Sequence, residues 1–329
     1  MKKILIAIDI FNTSKKINMK IFDQHKIEVN YNTTNKELIY HKNSNLYKDV
    51  DYIIAGLEEY DSNFFIRFPN VKAISRIGVG TDNIDLIAAR KNGVKIFKTS
   101  DKPSVAVAEL CISNIISLLR NTHTMSNNLK KGNWNQLVGR EIRNMNVGIV
   151  GLGSIGKQIA KRLAAFEVNI SGYGRSWDEK FAGKYNVEKK SLEDILINSD
   201  IISIHLPLDN ETKGLINEDL IFSMKKDSIL INTSRFAVID NKALAKAIKS
   251  KKIYGAAIDV FNEDKNIHPY DQIENVILTP HIGSHTLETR KEMELAAVKN
   301  VINYHSLLSK NYSGEIDKLL IEIDRNTVK

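Results

Sequence analysis

The chain has 329 residues, 43% of them hydrophobic and 26% charged, enough for two globular domains with a core each. Its formal charge of +8 is carried by residues scattered along the whole length, without the basic run and interleaved aromatics of a nucleic-acid groove. The single cysteine, Cys111, excludes an intrachain disulfide and a cysteine-based zinc site, and no stretch approaches the ~20 apolar residues that span a bilayer.

The opening MKKILIAIDI has the basic-then-apolar start of a leader peptide. Its apolar run lasts only about six residues before Asp9, however, and no small-residue cleavage site follows. It is read instead as a first β-strand, ILIAI (4–8), in a protein expected in the cytoplasm. DYIIAG (51–56), VKAIS (71–75) and GVKIF (93–97) are further strand-like runs. Between the last two, IDLIAARKNG carries apolar residues at helical spacing and stops at Gly93. This alternation predicts an α/β fold, a parallel sheet flanked by helices. Asp101, Pro103 and Ser104 are start signals for a long helix, VAVAELCISNIISLLR (105–120), with Val105, Ala108, Ile112, Ile115 and Leu119 on one face. Cys111 falls inside it, the setting of a buried and inert thiol. The helix stands between two α/β sets and is placed to link two domains.

The second set is clearer. Six strands are predicted: NVGIVG (146–151), VNISGY (168–173), DIISIHLP (200–207), SILINTS (228–234), YGAAIDV (254–260) and NVILTP (275–280). SIGKQIAKRLAAF is the helix after the first, and the series predicts a doubly wound sheet. Beyond Pro280, LETRKEMELAAVKNVINYH reads as one long amphipathic helix.

The turn Gly151-Leu-Gly153-Ser154-Ile155-Gly156 matches G-x-G-x-x-G between a strand and a helix, the context that gives this pattern its meaning. Gly151 permits a tight turn, Gly153 lets the backbone approach a pyrophosphate, and Gly156 brings the helix close to the strand. The helix start offers free N–H groups and a positive dipole end to the phosphates. The next strand ends at Tyr173, where an acidic residue would bond the ribose hydroxyls of NAD, but Gly174, Arg175 and Ser176 follow. Losing the carboxylate removes the repulsion of a 2′-phosphate, Arg175 brings a guanidinium suited to one, and Ser176 adds a hydroxyl donor. The expected cofactor is NADP, with NAD as the alternative.

Arg235 in LINTSRFAVID, Asp264 in AAIDVFNED and His281 in ILTPHIGSH lie at or just beyond strand ends, where open α/β sheets bind ligands. An arginine there can hold a substrate carboxylate and polarise a carbonyl. An imidazole, titrating near ~6.5 when unperturbed, can pass a proton to the carbonyl oxygen. A neighbouring carboxylate orients that imidazole and raises its pKa. The trio points to proton-coupled hydride transfer, and no metal site is expected.

Seven runs carry a resemblance: SRIGVGTDNIDLIAARKNGV (75–94), VAVAELCISNIISLLR (105–120), VGIVGLGSIGKQIAKRL (147–163), SDIISIHLPLDNETKGLIN (199–217), INTSR (231–235), GAAIDVF (255–261) and NVILTPHIG (275–283). In this order they resemble the NAD(P)-dependent D-2-hydroxyacid dehydrogenases, the family of D-3-phosphoglycerate, D-lactate, glyoxylate/hydroxypyruvate and formate dehydrogenases. The resemblance implies two Rossmann- or flavodoxin-like domains with doubly wound parallel sheets and a cleft between them. Residues 1–99 with 286–329 would form a discontinuous substrate domain, and 100–285 a dinucleotide-binding domain that also forms a homodimer. Arg235 would bind substrate and His281 would donate and accept the proton. The backbone at Val79 and Gly80 would grip the substrate carboxylate. Leu206, Pro207 and Thr233 would lie along the cofactor, with Asp259 by the nicotinamide.

Three positions depart from the family pattern. Gly174 stands where Asp is usual, which sharpens the expectation of NADP. Asp264, followed by Lys265, stands where Glu followed by Pro is usual, so that either Asp264 or the adjacent Glu263 would pair with His281. Phe236 stands where Gly is common, a strained choice if that backbone needs positive φ. The resulting expectation is an oxidoreductase interconverting a small anionic 2-oxo acid and its D-2-hydroxy acid, without nucleic-acid or membrane partners. The alternative is a cofactor-sensing, corepressor-like protein on the same fold, against which the intact Arg235 and His281 argue.

Overall fold

Strands made of unbroken Ile, Leu and Val runs need cover on both faces, which crossover helices supply to a parallel sheet. The computed structural model, which describes residues 1–8, 15–34, 36–100, 102–261 and 269–309, meets this need twice. The chain divides into two compact units, Met1–Pro103 with the chain from Thr286 onward, and Ser104–His285.

Among its described residues the first unit has five strands: β1 (Lys2–Ile6), β2 (Ile27–Tyr31), β3 (Tyr52–Ala55), β4 (Ala73–Arg76) and β5 (Lys95–Lys98). Their order is β2-β1-β3-β4-β5, all parallel, the flavodoxin-like arrangement. Leu5, Ile53 and Ile74 join one core with Tyr47, Phe64 and Phe68, whereas Ile4, Ile6, Tyr52 and Ile54 join another with Met293, Ala297 and Val301 of the helix Leu287–Ser309. The alternation along each strand is what divides these side chains between the two faces.

The second unit has seven among its described residues: β6 (Asn146–Val150), β7 (Asn169–Tyr173), β8 (Val187–Lys189), β9 (Ile201–Ile204), β10 (Ile229–Asn232), β11 (Gly255–Ile258) and β12 (Val276–Leu278). The order β12-β11-β10-β9-β6-β7-β8, again wholly parallel, is the Rossmann arrangement. Val147, Ile149, Ile229 and Ile231 pack with Cys111, Ile115, Ile159 and Leu163; Val150, Ile202 and Leu230 pack with Ile195, Leu196, Leu244 and Ile248.

The observed strands fall within or beside the sequence-predicted runs, with two additions. β2 and β8 are edge strands whose residues IEVNY and VEK mix polar and apolar side chains, so their hydrophobic signal is weak. Several predicted runs overshoot. DIISIHLP extends past Ile204, and YGAAIDV past Ile258, because the chain stays apolar after it leaves the ladder. The helix Ser104–Leu119 buries Ala108, Cys111, Ile115 and Leu118, while Val105 is 41% exposed; the buried stripe is therefore rotated from the one predicted. Burial pushes the Cys111 thiol up to about 12, in keeping with an inert role. Among the described residues no single helix is long and apolar enough to cross a membrane.

The first unit buries the carboxyl of Glu58 in the turn after β3. Its Oε2 accepts the Gly56 N–H at 2.6 Å, and Asn83 Nδ2 donates to the carbonyl oxygens of Glu58 and Gly56 at 2.6 and 3.3 Å. Burial pushes the carboxyl up to about 7, against the pull of the backbone N–H groups of Gly56 and of Glu58 itself. The folded pKa lies above the unfolded value, so the stabilisation is complete below the unfolded pKa and is lost as pH rises through about 7. Glu58→Gln is expected to flatten this loss, on the order of 3 kcal/mol in wild type. Urea unfolding midpoints at pH 5 and pH 8 measure it; equal pH dependence in both proteins would refute the assignment.

Candidate active site

The second unit's candidate residues leave one edge of its sheet, the carboxyl ends of β6, β7, β9, β10, β11 and β12. β6 has β7 on one side and β9 on the other, so the strand order reverses there and the edge opens a crevice.

Beyond β6 the chain turns at Gly151, which has φ +105°, and a Cβ there would lie 2.5 Å from the His205 carbonyl oxygen. Gly156 sits in the first turn of the helix Ser154–Leu163, where a Cβ would collide with the carbonyl oxygen of Gly151. Both positions need glycine because backbone meets backbone. Gly153 caps the helix and differs: a Cβ on it would meet nothing within 4 Å. Ser154 and Ile155 open the helix beside that space, in the turn whose N–H groups have no acceptor within an α-helix. An open approach to a helix start fits a pyrophosphate.

At the end of β7, packing does not require Gly174. A Cβ would find Leu152 N and Ser176 O at 3.4 Å, ordinary contacts, and φ is outside the left-handed region. A hollow of ≈ 680 Å³ lies beside Gly174, lined by Tyr173, Lys189, Lys190, Ser191 and Asp194 among others. Arg175 and Ser176 are exposed. Arg175 is engaged by the loop after β9: its Nη2 lies 2.9 Å from Asp209 Oδ2, and its Nη1 donates to Glu211 Oε2 at 3.2 Å. The bond to Asp209 raises the guanidinium further above its ordinary value. In the same loop Leu206 is buried and Pro207 exposed, and Thr212 Oγ1 donates to the Pro207 carbonyl at 2.6 Å.

Arg235, Asp259 and His281 follow β10, β11 and β12, three neighbouring strands. With strands ~4.8 Å apart, the first and third loops start about 10 Å from each other. Asn232 builds the turn at Arg235: its Oδ1 accepts the Ser234 N–H at 3.0 Å and the Ser234 hydroxyl at 2.9 Å, and its Nδ2 donates to the Arg235 carbonyl at 2.9 Å. Arg235 Nη1 donates to the Ser234 carbonyl at 2.7 Å. Thr233 is mostly buried, its Oγ1 3.3 Å from Cys111 Sγ. Phe236 starts a short 3-10 turn, Phe236–Val238, without a positive φ, so it brings no backbone strain to this loop.

Asp259 is 1% exposed. Its Oδ1 accepts the Thr279 hydroxyl at 2.6 Å and the Ile282 N–H at 2.8 Å, and its Oδ2 accepts the Gly283 N–H at 2.8 Å. Burial pushes this carboxyl up, and those three bonds pull it back in part. His281, between the anchored residues, has φ +56°, and its N–H donates to the Thr279 carbonyl at 2.9 Å. Asp264 and Glu263 lie outside the described residues.

In the first unit Val79 and Gly80 follow β4, at the carboxyl edge of that sheet. Thr99 holds the loop: the Gly78 N–H donates to Thr99 Oγ1 at 2.8 Å, and the Thr99 N–H to the Gly78 carbonyl at 3.0 Å. Val79 is exposed and Gly80 partly so.

Sequence reasoning missed three features of this edge. Asn232 was overlooked although Asn two residues before Ser is a turn signal. The loop-holding bonds of Asp259 and the carboxylate partners of Arg175 have no local signal. Chemically, the edge offers an open helix start, a guanidinium at Arg235 and an imidazole at His281.

Residues 112–283 match the family model described as D-isomer specific 2-hydroxyacid dehydrogenase, NAD binding domain. The chain is 39% identical over 266 residues to a glyoxylate reductase from Thermofilum pendens, covering 78% of each. It is 36% identical over 297 residues to a glyoxylate reductase from Pyrococcus horikoshii, covering 86% of this chain and 85% of that one. Among solved structures it resembles a glyoxylate reductase from Paecilomyes thermophila, with TM-score 0.81 and 27% identity over 92% of this chain and 95% of the other.

Asp259→Asn would turn an NH2 group toward one of its three donors, leaving a buried N–H or hydroxyl unpaired at a cost of ~1–3 kcal/mol. Hydrogen exchange at the Ile282 and Gly283 amides should then quicken. Exchange unchanged in peptides spanning 279–285 would show that the carboxylate does not hold the loop.

Proposed function

The chain belongs to the D-isomer specific 2-hydroxyacid dehydrogenase family, and from that premise we propose that it reduces glyoxylate and similar short 2-oxo acids, with NADP(H) favoured over NAD(H). At the coarser level it is an NAD(P)-dependent oxidoreductase interconverting a 2-oxo acid and a 2-hydroxy acid. Glyoxylate is preferred as the substrate because the two relatives named above, 39% and 36% identical, are both glyoxylate reductases. The observation that supports the catalytic reading is that Arg235 and His281 follow strands two apart on the carboxyl edge that also bears the glycine-rich turn.

The nicotinamide cofactor, when bound, supplies the hydride that passes between its C4 and C2 of the acid. Gly153, Ser154 and Ile155 hold its pyrophosphate at the helix start, with Gly151 and Gly156 shaping the turn. Leu206, Pro207, Thr233 and Asp259 line it. Arg235 binds the substrate carboxylate and polarises the carbonyl. His281 gives its proton to the carbonyl oxygen on reduction and takes it back on oxidation. Asp264 or Glu263 orients the imidazole.

The preference for NADP(H) is supported by the end of β7. Gly174 would accept a Cβ without a clash, so packing at that atom does not impose the missing carboxylate. Arg175 and Ser176 then stand exposed beside it. A homodimer through the second unit is supported by Leu129, Trp134, Leu137 and Val138, which are 54, 78, 45 and 98% exposed around the end of the helix Thr122–Lys130. An apolar strip of this kind calls for a cover.

Initial rates with glyoxylate, hydroxypyruvate, pyruvate and 3-phosphohydroxypyruvate, each with NADH and NADPH, test the substrate and cofactor together. Glyoxylate with NADPH should be fastest; no turnover alongside tight cofactor binding would favour a sensor instead. His281→Asn should lower kcat by ~10²–10⁴-fold while the cofactor Kd stays within about twofold. A variant with near-normal turnover would refute the proton assignment. Trp134→Asp with Val138→Asp should give a monomer by light scattering, and a dimer of wild-type mass would place the interface elsewhere.

A further inference from the structure

Arg175, the cation assigned to the 2′-phosphate, already has two anionic partners within its own unit. Its two terminal nitrogens are divided between Asp209 Oδ2 at 2.9 Å and Glu211 Oε2 at 3.2 Å. Both terminal nitrogens of the planar fork that would grip a phosphate therefore already face carboxylates.

The two carboxylates are held differently. Asp209 is built into its turn: its Oδ1 accepts the N–H groups of Glu211 and Thr212, both at 3.0 Å. Thr212 Oγ1 accepts the Asp209 N–H at 2.9 Å and donates to the Pro207 carbonyl at 2.6 Å, which closes the turn on itself. Asp209 thus keeps its charge in place whatever Arg175 does. Glu211, its side chain 77% exposed, can swing away.

We propose that Asp209 and Glu211 are specificity-determining residues that shield Arg175 and hold down the preference for a 2′-phosphorylated cofactor. The inference rests on the reading that the adenosine ribose lies at Gly174–Ser176. A 2′-phosphate must compete with the pair for Arg175. Exposed ion pairs are weak enough to be displaced, but the fixed charge of Asp209 still repels the incoming dianion. A cofactor with a free 2′-hydroxyl meets neither demand, so Arg175 stays with its carboxylates when NAD(H) is bound. The acidic pair thereby offsets part of what the glycine at 174 allows, and the chain can use both cofactors.

The test is isothermal titration of the full chain with NADPH, NADH and 2′,5′-ADP, in wild type, Arg175→Ala, Glu211→Gln and the double variant Asp209→Asn/Glu211→Gln. Asparagine keeps the Oδ1 acceptor that the turn needs. The double variant should move the ratio of NADH to NADPH dissociation constants about tenfold toward NADPH and tighten 2′,5′-ADP, with the effect shrinking at high salt. Glu211→Gln alone should move it in the same direction by less, and serves if the turn does not tolerate Asp209→Asn. If Arg175→Ala weakens NADPH and 2′,5′-ADP while the carboxylate variants leave the ratio where it was, the shielding role is overturned and the ribose assignment stands. If Arg175→Ala leaves NADPH and 2′,5′-ADP binding unchanged, the ribose assignment fails and the shielding role fails with it.

Discussion

The loop that carries His281 hangs on one buried carboxylate. Asp259 follows β11, and its oxygens accept bonds from Thr279, Ile282 and Gly283 of the adjacent loop, so two neighbouring strand ends act as one piece. Water cannot replace these bonds at a site 1% exposed, and an ionised carboxylate is tolerated there only while they are made. The constraint reaches His281 itself. Its φ of +56° is uncommon for a residue with a side chain, and the anchored residues after it keep the backbone there. Because β10, β11 and β12 pair in register, the relation between the loops of Arg235 and His281 inherits the stiffness of a parallel ladder.

One physical rule divides the cofactor end. At Gly151 and Gly156 the rule is steric: backbone approaches backbone so closely that a Cβ has no place. At Gly174 no such rule applies, because a Cβ would meet nothing closer than 3.4 Å. The overall charge of +8 says little about ligand preference. The guanidinium that matters at this end is met locally by Asp209 and Glu211, and at these distances local partners outweigh a diffuse net charge.

The sequence alone determined most of the secondary structure and the identity of the glycine-rich turn. Unbroken apolar runs of four to five residues mark central strands because burial on both faces removes the polar alternation. The turn was legible because a tight bend, a close helix and an open helix start each demand glycine at a set spacing. Arg235 and His281 stood out by their place just beyond strands. What the sequence did not yield were β2 and β8, edge strands with mixed side chains whose pairing comes from a neighbour rather than from their own pattern. The burial of the helix Ser104–Leu119 was also rotated from its apolar stripe, since the sheet and not the helix decides which face is covered. Tertiary structure decided the partners. Arg175 meets Glu211 from 36 residues away, and Asp259 meets Gly283 from 24 away. Local periodicity encodes how a segment folds, but a hydrogen bond between two loops exists only after the strands beneath them have set their order and register.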